Sequence, residues 1–265
     1  MQRLLYCMIA ALLTGSLPVS ALTPVLPTDG SNATPAFSAA IQQLCASSDD
    51  RILSLPTGVF SFHTQTVAIP CAVTIVGQGK GATRLIRRYS GSFFLGWTRG
   101  TDQSGGGLRD LQIEAGIGTN GGIAVYVQAL ADPDANTNSL NRHSFLIDNV
   151  QVGREGPGTT TSWSEGIYLD GALNPDNSIG LAPGLRFPVI TRTSVSGTTN
   201  VSIYLNKVRG AWMEVACFIP LNGSTHYVYM SNGTYGVRLD TNSCAYYIAD
   251  TSKLLMLNGV PTGPQ

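Results

Sequence analysis

Short runs of β-type residues, each closed by glycine or asparagine, recur along this chain, and their spacing constrains the fold more than any other feature. Leu108–Gly116, Phe145–Gly153, Ile203–Gly210, Tyr227–Gly233 and Leu254–Gly259 are the clearest. The last three end at residues 210, 233 and 259, in steps of 23 and 26. A repeat of this size built from strands means a solenoid or a propeller. A propeller blade needs about four strands and a period near 40–45 residues, so one coil of a parallel β-helix in an all-β chain, about 23 residues long, fits better. In such a coil alternate residues face inward. Leu111 and Ile113 are then predicted inside, with Gln112 and Glu114 outside. Two stretches rich in Asn, Pro and Asp, residues 131–144 and 171–192, interrupt the rhythm. In a solenoid such insertions become loops on one face, often the binding face.

The start of the chain reads differently. Residues 1–21 carry Arg3, an apolar run from Leu4 to Leu13, and the small-residue site Val19-Ser20-Ala21. This is the pattern of a secretory signal peptide, and the run is too short for a stable membrane span. The other reading is an apolar segment that is retained and packs against a partner. Residues 22–34 read as a linker. Thr34-Pro35 then opens a capping helix assigned to residues 35–50, with Thr34 as cap and Phe37, Ile41 and Leu44 on its apolar face. Residues 51–265 form the predicted β-helix.

Composition removes several functions. The net charge is zero, 12% of residues are charged, and there are three lysines, which argues against nucleic-acid binding. Hydrophobic residues make up 43%, too many for a disordered chain. Beyond residue 21 four cysteines remain: Cys45, Cys71, Cys217 and Cys244. An even count suits two disulfides in an exported protein. The sequence-local pairing is Cys45–Cys71 with Cys217–Cys244, but three pairings are open and spacing does not choose, and four buried thiols are the alternative. There is no CxxC pair, and His63, His143 and His226 share no spacing, so no metal site is expected. Gly77-Gln-Gly-Lys-Gly-Ala82 satisfies a dinucleotide fingerprint formally, yet a strand-like Thr83-Arg-Leu-Ile-Arg follows where a helix is required. No cofactor is implied.

Glycan cleavage by hydrolysis needs two carboxylates beside the bond; elimination needs a base with charge stabilisation nearby. The repeat region holds few acids: Asp110, Glu114, Asp148, Glu155, Glu165, Asp170, Glu214 and Asp240. Glu165 and Asp170 flank a strand beside the second insertion, and Asp148 and Arg154 lie on the preceding coil. Glu165, Asp170 and Asp148 are therefore the candidate catalytic residues, with Arg154 in support. A spacing of five on a straight strand puts Glu165 and Asp170 on opposite faces, so a bend is required. Trp163, Tyr168, Tyr204 and Trp212 could offer a sugar-stacking surface; core filling or a subunit contact is the competing use. The sequons at Asn32, Asn200, Asn222 and Asn232 are expected by chance in so Asn/Ser/Thr-rich a chain.

Residues 28–88 resemble the opening of the pectate-lyase-like right-handed β-helix family. The resemblance rests on Asp29-Gly30, Thr34, Ala36-Phe37, Ala40-Ile41, Leu55-Pro56-Thr57-Gly58, Ile75, Gly77, Gly79, Thr83 and Leu85. The family's second Asp is missing near Ala33, and polygalacturonase-like motifs are absent from the coils. The family is common among bacteriophage tail spikes and secreted polysaccharide lyases and hydrolases. The resemblance implies a polysaccharide ligand, a helix that caps the first coil, and a homotrimer, with other virion proteins as further partners. The expected function is a tail-spike- or fibre-like subunit recognising host surface polysaccharide, in the virion tail. The alternatives are a secreted lyase or glycoside hydrolase, which would be extracellular, and a non-catalytic adhesin-like β-helix.

Overall fold

The computed structural model describes residues 21–47, 51–99, 105–129, 145–156, 161–171, 185, 187–217, 227–241, 243–249 and 252–261. Residues 1–20, the first insertion and residues 172–184 of the second lie outside them.

The chain enters as a single helix, α1 (Thr34–Ala46), that starts one residue before the predicted element and stops four earlier. Thr34 does not cap it. It sits inside the first turn, buried, and the Oδ1 of Asn32 accepts the N–H groups of Thr34 (3.0 Å) and His63 (3.1 Å) instead. Residues 22–34 are more than a linker: Leu22 bridges Leu53 and Asn32 bridges Ser61, both in parallel sense. Phe37, Ile41 and Leu44 are buried, so the helix covers the end of the strand stack, where an open edge would otherwise invite aggregation. Cys45 is bonded to Cys71, tying the helix to the first coil, and Cys217 is bonded to Cys244.

Strands follow in groups. The first two groups have three each: β1 (Ile52–Ser54), β2 (Gly58–Phe62) and β3 (Val67–Ile69), then β4 (Thr74–Val76), β5 (Thr83–Arg87) and β6 (Phe93–Arg99). Later groups have two: β7 (Gly107–Ala115) with β8 (Ile123–Ala129), β9 (Leu146–Arg154) with β10 (Trp163–Asp170), and β11 (Val189–Val195) with β12 (Thr198–Asn206). They continue as β13 (Trp212–Cys217) with β14 (Val228–Ser231), β15 (Tyr235–Asp240) with β16 (Tyr246–Ile248), and β17 (Lys253–Leu257) with β18 (Val260–Pro261).

These strands form two sheets. Sheet A runs β1-β4-β7-β9-β11-β13-β15-β17-β18, with β2 and β5 joining it at β7; sheet B runs β3-β6-β8-β10-β12-β14-β16. Every pairing among them is parallel except the closing β17–β18 hairpin. Each group but the last thus contributes to both sheets and stacks on the group before, an arrangement consistent with a parallel β-helix. The register gives the period directly. Leu53 lies beside Ile75, Ile190 beside Met213, Ile203 beside Val228 and Met213 beside Leu239, offsets of 22, 23, 25 and 26 residues. Where Asp148 lies beside Thr191 the offset is 43, because the second insertion falls between.

Sheet A is creased lengthwise. Asp110, Asn149 and Arg192 have φ of 53°, 54° and 49° at equivalent points of β7, β9 and β11. Left-handed backbone is tolerated by Asp and Asn because their short side chains bond locally, and Asn149 Nδ2 donates to Asp110 Oδ1 at 2.6 Å. The crease explains why the first half of β7 pairs β4 and its second half pairs β5. Leu111 and Ile113 face inward as predicted, fully buried. Glu114 faces outward but is also buried, covered by Arg84, whose Nη2 lies 2.5 Å from Glu114 Oε2. A chain of rings, Phe37–Phe62–Phe94–Trp163, with centroids 5.2, 5.0 and 6.2 Å apart, links the helix to the first, second and fourth strand groups through the interior.

Candidate functional site

Trp163 takes no part in a surface site. It is fully buried, and its Nε1 donates to the Gly153 carbonyl at 2.6 Å. It lies in the interior with Ile167 and Leu169, which are also fully buried.

Tyr168 and Tyr204 face outward on sheet B, but they do not offer ring faces to a sugar. They belong to a continuous row: Tyr126, Tyr168, Tyr204, Tyr229 and Tyr247 occupy one register position on five successive strands. Adjacent centroids are 4.5–5.5 Å apart, so each ring spends its faces or edges on its neighbours. Phe93 extends the row by lying over Gly96, where any Cβ would come within 2.2 Å of its ring. The row is a structural ladder of the kind that stabilises stacked strands.

The proposed catalytic trio is divided. Glu165 and Asp170 lie on β10 of sheet B; the β10–β12 register shifts only between Trp163 and Glu165, and from Glu165 to Asp170 the pairing with β8 and β12 runs unshifted, so the bend that would bring the two carboxylates together is not there. Both are partly exposed. Glu165 accepts from Asn200 Nδ2 at 3.3 Å, and Asp170 accepts from Asn206 Nδ2 at 2.6 Å and from the Tyr126 hydroxyl at 3.2 Å. Burial raises both carboxyls above their ordinary values. The same burial pushes the Tyr126 hydroxyl up to about 12. Asp148 is on sheet A instead. Its carboxylate accepts from Arg192 Nε (2.9 Å) and Nη2 (2.5 Å) and from Thr191 Oγ1 (2.9 Å). Arg154 ends β9 with its stem against Gly197 and its Nη1 buried. No ion pair joins Arg154 to Glu165 or Asp170 among the described residues.

Asp148 leads to a second group that sequence reasoning did not assemble. Reading across sheet A on its outer face, Arg109, Asp148 and Thr191 share a register row, and Glu214 and Asp240 share the continuation of that row on β13 and β15. The left-handed Arg192 reaches back to Asp148. Lys80, from the turn after β4, crosses over and donates through Nζ to the Arg192 carbonyl at 2.5 Å. Arg238 Nε holds Asp240 Oδ2 at 2.8 Å, and its guanidinium lies 5.3 Å from the ring centroid of Trp212. Trp212 is 46% exposed. Of the four aromatics singled out by sequence, it alone presents a large free surface.

Between these side chains lies an open depression of about 550 Å³, lined by Lys80, Arg192, Glu214, Asp240, Thr241 and Asn258 with the strand backbones as floor. A second hollow of about 500 Å³ continues it past Thr241 and Asn258 toward Tyr246. Adjacent strands are spaced about 4.8 Å apart, so the paired positions of Glu214 and Asp240 set two carboxylates side by side on the wall. Lys80 is lowered from its ordinary value by burial and by Arg192. Such a cleft offers charged, amide and hydroxyl partners, and Trp212 lies two residues before Glu214 on the same strand, outside the lining.

The Asp148 carboxyl is held below its ordinary value of 3.8, chiefly by the Arg192 hydrogen bond. A carboxylate with a depressed folded pKa adds stability that is present above about 3.8 and lost as pH falls through the folded value. Asp148→Asn is therefore expected to flatten that part of the pH–stability curve below about pH 4 and to leave its shape above pH 6 unchanged, as read by urea unfolding at each pH.

No helix among the described residues is long and apolar enough to cross a membrane, and no cluster of three or more His, Cys, Asp or Glu there could hold a metal ion. Comparison with protein-family models, with curated proteins and with solved structures finds no match for this chain.

Proposed function

We propose that this chain is a pectate-lyase-like parallel β-helix that recognises a host surface polysaccharide, as a tail-spike- or fibre-like subunit of a virion, and that the glycan lies in the outer cleft of sheet A. The observation that carries the binding reading is the cleft itself, where Lys80, Arg192, Glu214, Asp240, Thr241 and Asn258 converge; the exposed Trp212 stands outside its lining, two residues before Glu214 on the same strand. Exposed aromatic faces pair with the apolar faces of sugar rings, and the polar groups select among hydroxyl and acidic substituents. The virion setting and a homotrimeric assembly rest on the resemblance of residues 28–88.

The test is a glycan array followed by titration of the best ligand. Trp212→Ala is expected to weaken binding at least tenfold, about 1.4 kcal/mol. Tyr168→Phe, on sheet B, is expected to leave affinity within about twofold. Loss of binding in Tyr168→Phe with Trp212→Ala unaffected would move the site to the other sheet.

A second reading, an enzyme that cleaves the glycan it binds, is favoured by one observation. Glu214 and Asp240 sit in register on neighbouring strands inside the cleft, the arrangement of paired carboxylates that glycoside hydrolysis uses.

A further inference from the structure

Phe187 holds a backbone conformation that bulky residues avoid. Its φ is 51°, left-handed and costly for a side chain with a large ring. It also precedes Pro188, a position that normally stays extended. Backbone bonds fix it there: its N–H donates to the Arg209 carbonyl at 2.7 Å, and the Arg209 N–H donates to the Leu185 carbonyl at 3.0 Å. The ring is 52% exposed all the same. It lies over Gly210, where a Cβ would come within 2.6 Å of it. Strain of this kind persists only where the surroundings impose it, and it gathers at ligand clamps.

Two more exposed rings stand beside it. Trp212, 46% exposed, is paired with Val189, two residues after Phe187. Tyr235, 41% exposed, is bridged to Arg209. Each is backed by a guanidinium, Trp212 by Arg238 and Tyr235 by Arg209, with Cζ 5.3 and 4.9 Å from the ring centroids. Gly210 and Gly236, at φ 65° and 69°, put no side chain among them. The aliphatic neighbours Val208 and Val237 are buried, so the large apolar groups shown to water here are aromatic. Trp212 shares the outer face of β13 with Glu214, two residues on. At about 3.3 Å per residue it stands about 7 Å beyond Glu214, and Gly210 under the Phe187 ring lies about 7 Å further.

An aromatic face and the C–H face of a sugar ring are both apolar, and stacking them removes both from water. The guanidiniums along this track are already engaged: Arg192 with Asp148, Arg238 with Asp240, and Arg209 with the Tyr235 ring. Rings without spare cations suit a neutral sugar better than an acidic one. Resting on the glycan reading above, we propose that Phe187, Trp212 and Tyr235 extend the cleft as a stacking platform for neutral hexose units, so that the glycan runs along the strands from Glu214 over Trp212 to Phe187.

The test uses the full chain with β-1,4-linked glucose and galactose oligomers of two and six units. The wild type is expected to bind a six-unit oligomer at least about tenfold more tightly than its two-unit counterpart. Phe187→Asn removes the ring, and Asn tolerates the left-handed backbone. It is expected to cut that gain to about threefold or less, with two-unit affinity within about twofold of wild type and the Tm within about 2 °C. Trp97 and Trp163 are fully buried, so quenching by acrylamide reads Trp212, and the six-unit oligomer is expected to shield it. Should Phe187→Asn fail to fold, that shielding in the wild type still decides. Lys80→Ala, in the cleft, is expected to weaken both lengths alike. No effect of Lys80→Ala on either length would remove the cleft reading and the platform with it. An undiminished gain with length in Phe187→Asn, beside a Lys80→Ala variant that binds weakly, would overturn the platform alone. No binding of either series, no shielding of Trp212, or an oligomer that Phe187→Asn turns into monomers would also overturn it, the last by assigning the rings to a subunit contact.

Discussion

Trp163→Ala is expected to lower the unfolding free energy by about 3–5 kcal/mol, the range for truncating a fully buried large aromatic. Three losses combine. The ring leaves a cavity between Phe94 and Arg87, the Gly153 carbonyl loses its 2.6 Å donor, and the Arg87 guanidinium loses the surface it lies on. Trp163→Phe keeps a ring in the stack and gives up the hydrogen bond, so its cost should be well under half. Urea unfolding monitored by far-UV circular dichroism measures both. A cost below about 1 kcal/mol for the alanine variant would mean that Trp163 is not in the core and would restore it as a surface aromatic.

On any glycan that the wild-type protein cleaves, Glu214→Gln and Asp240→Asn are each expected to lower kcat by about 10²–10⁴-fold, the usual contribution of a positioned acid or base. One carboxyl would protonate the departing oxygen while the other attacks or activates water. Asp240 is held by Arg238, which fixes its direction in the cleft. Glu165→Gln and Asp170→Asn should change kcat less than about threefold, because both are bound into the outer wall of sheet B by Asn200, Asn206 and Tyr126. Melting temperatures within a few degrees of wild type would separate lost chemistry from lost folding. Abolished turnover in Glu165→Gln with Glu214→Gln intact would return the chemistry to sheet B. Binding without turnover in the wild type would leave recognition as the function.

The repeat was legible because glycine closes many of its strands and because inward positions such as Leu111 and Ile113 must be apolar. The cap was legible from Pro35 and the spacing of Phe37, Ile41 and Leu44, although the bonding side chain at its start proved to be Asn32, which lies outside the helix. The crease was not. Three residues as different as Asp110, Asn149 and Arg192 share one left-handed corner, and no residue pattern announces it. Alternation alone does not place Glu165: it would share a face with Ile167 and Leu169, yet it is half-exposed, and the pairing register shifts between it and Trp163.

Unequal coil lengths hid the ladders. The tyrosines at 126, 168, 204, 229 and 247 are separated by 42, 36, 25 and 18 residues, yet they stack at one position. The Glu214–Asp240 pairing was within reach, since 26 residues is also the step between the glycines at 233 and 259. Lys80 was not, because it meets Arg192 across 112 residues and several coils. A turn read as a rejected nucleotide fingerprint thus supplies one wall of the cleft.

Hydrogen exchange with and without the best glycan ligand tests most directly whether the cleft on sheet A is the binding site. Added protection is expected in β11, β13 and β15 and in the turn carrying Lys80, with β8, β10 and β12 unchanged. Protection confined to β8, β10 and β12, over the tyrosine row, would contradict it.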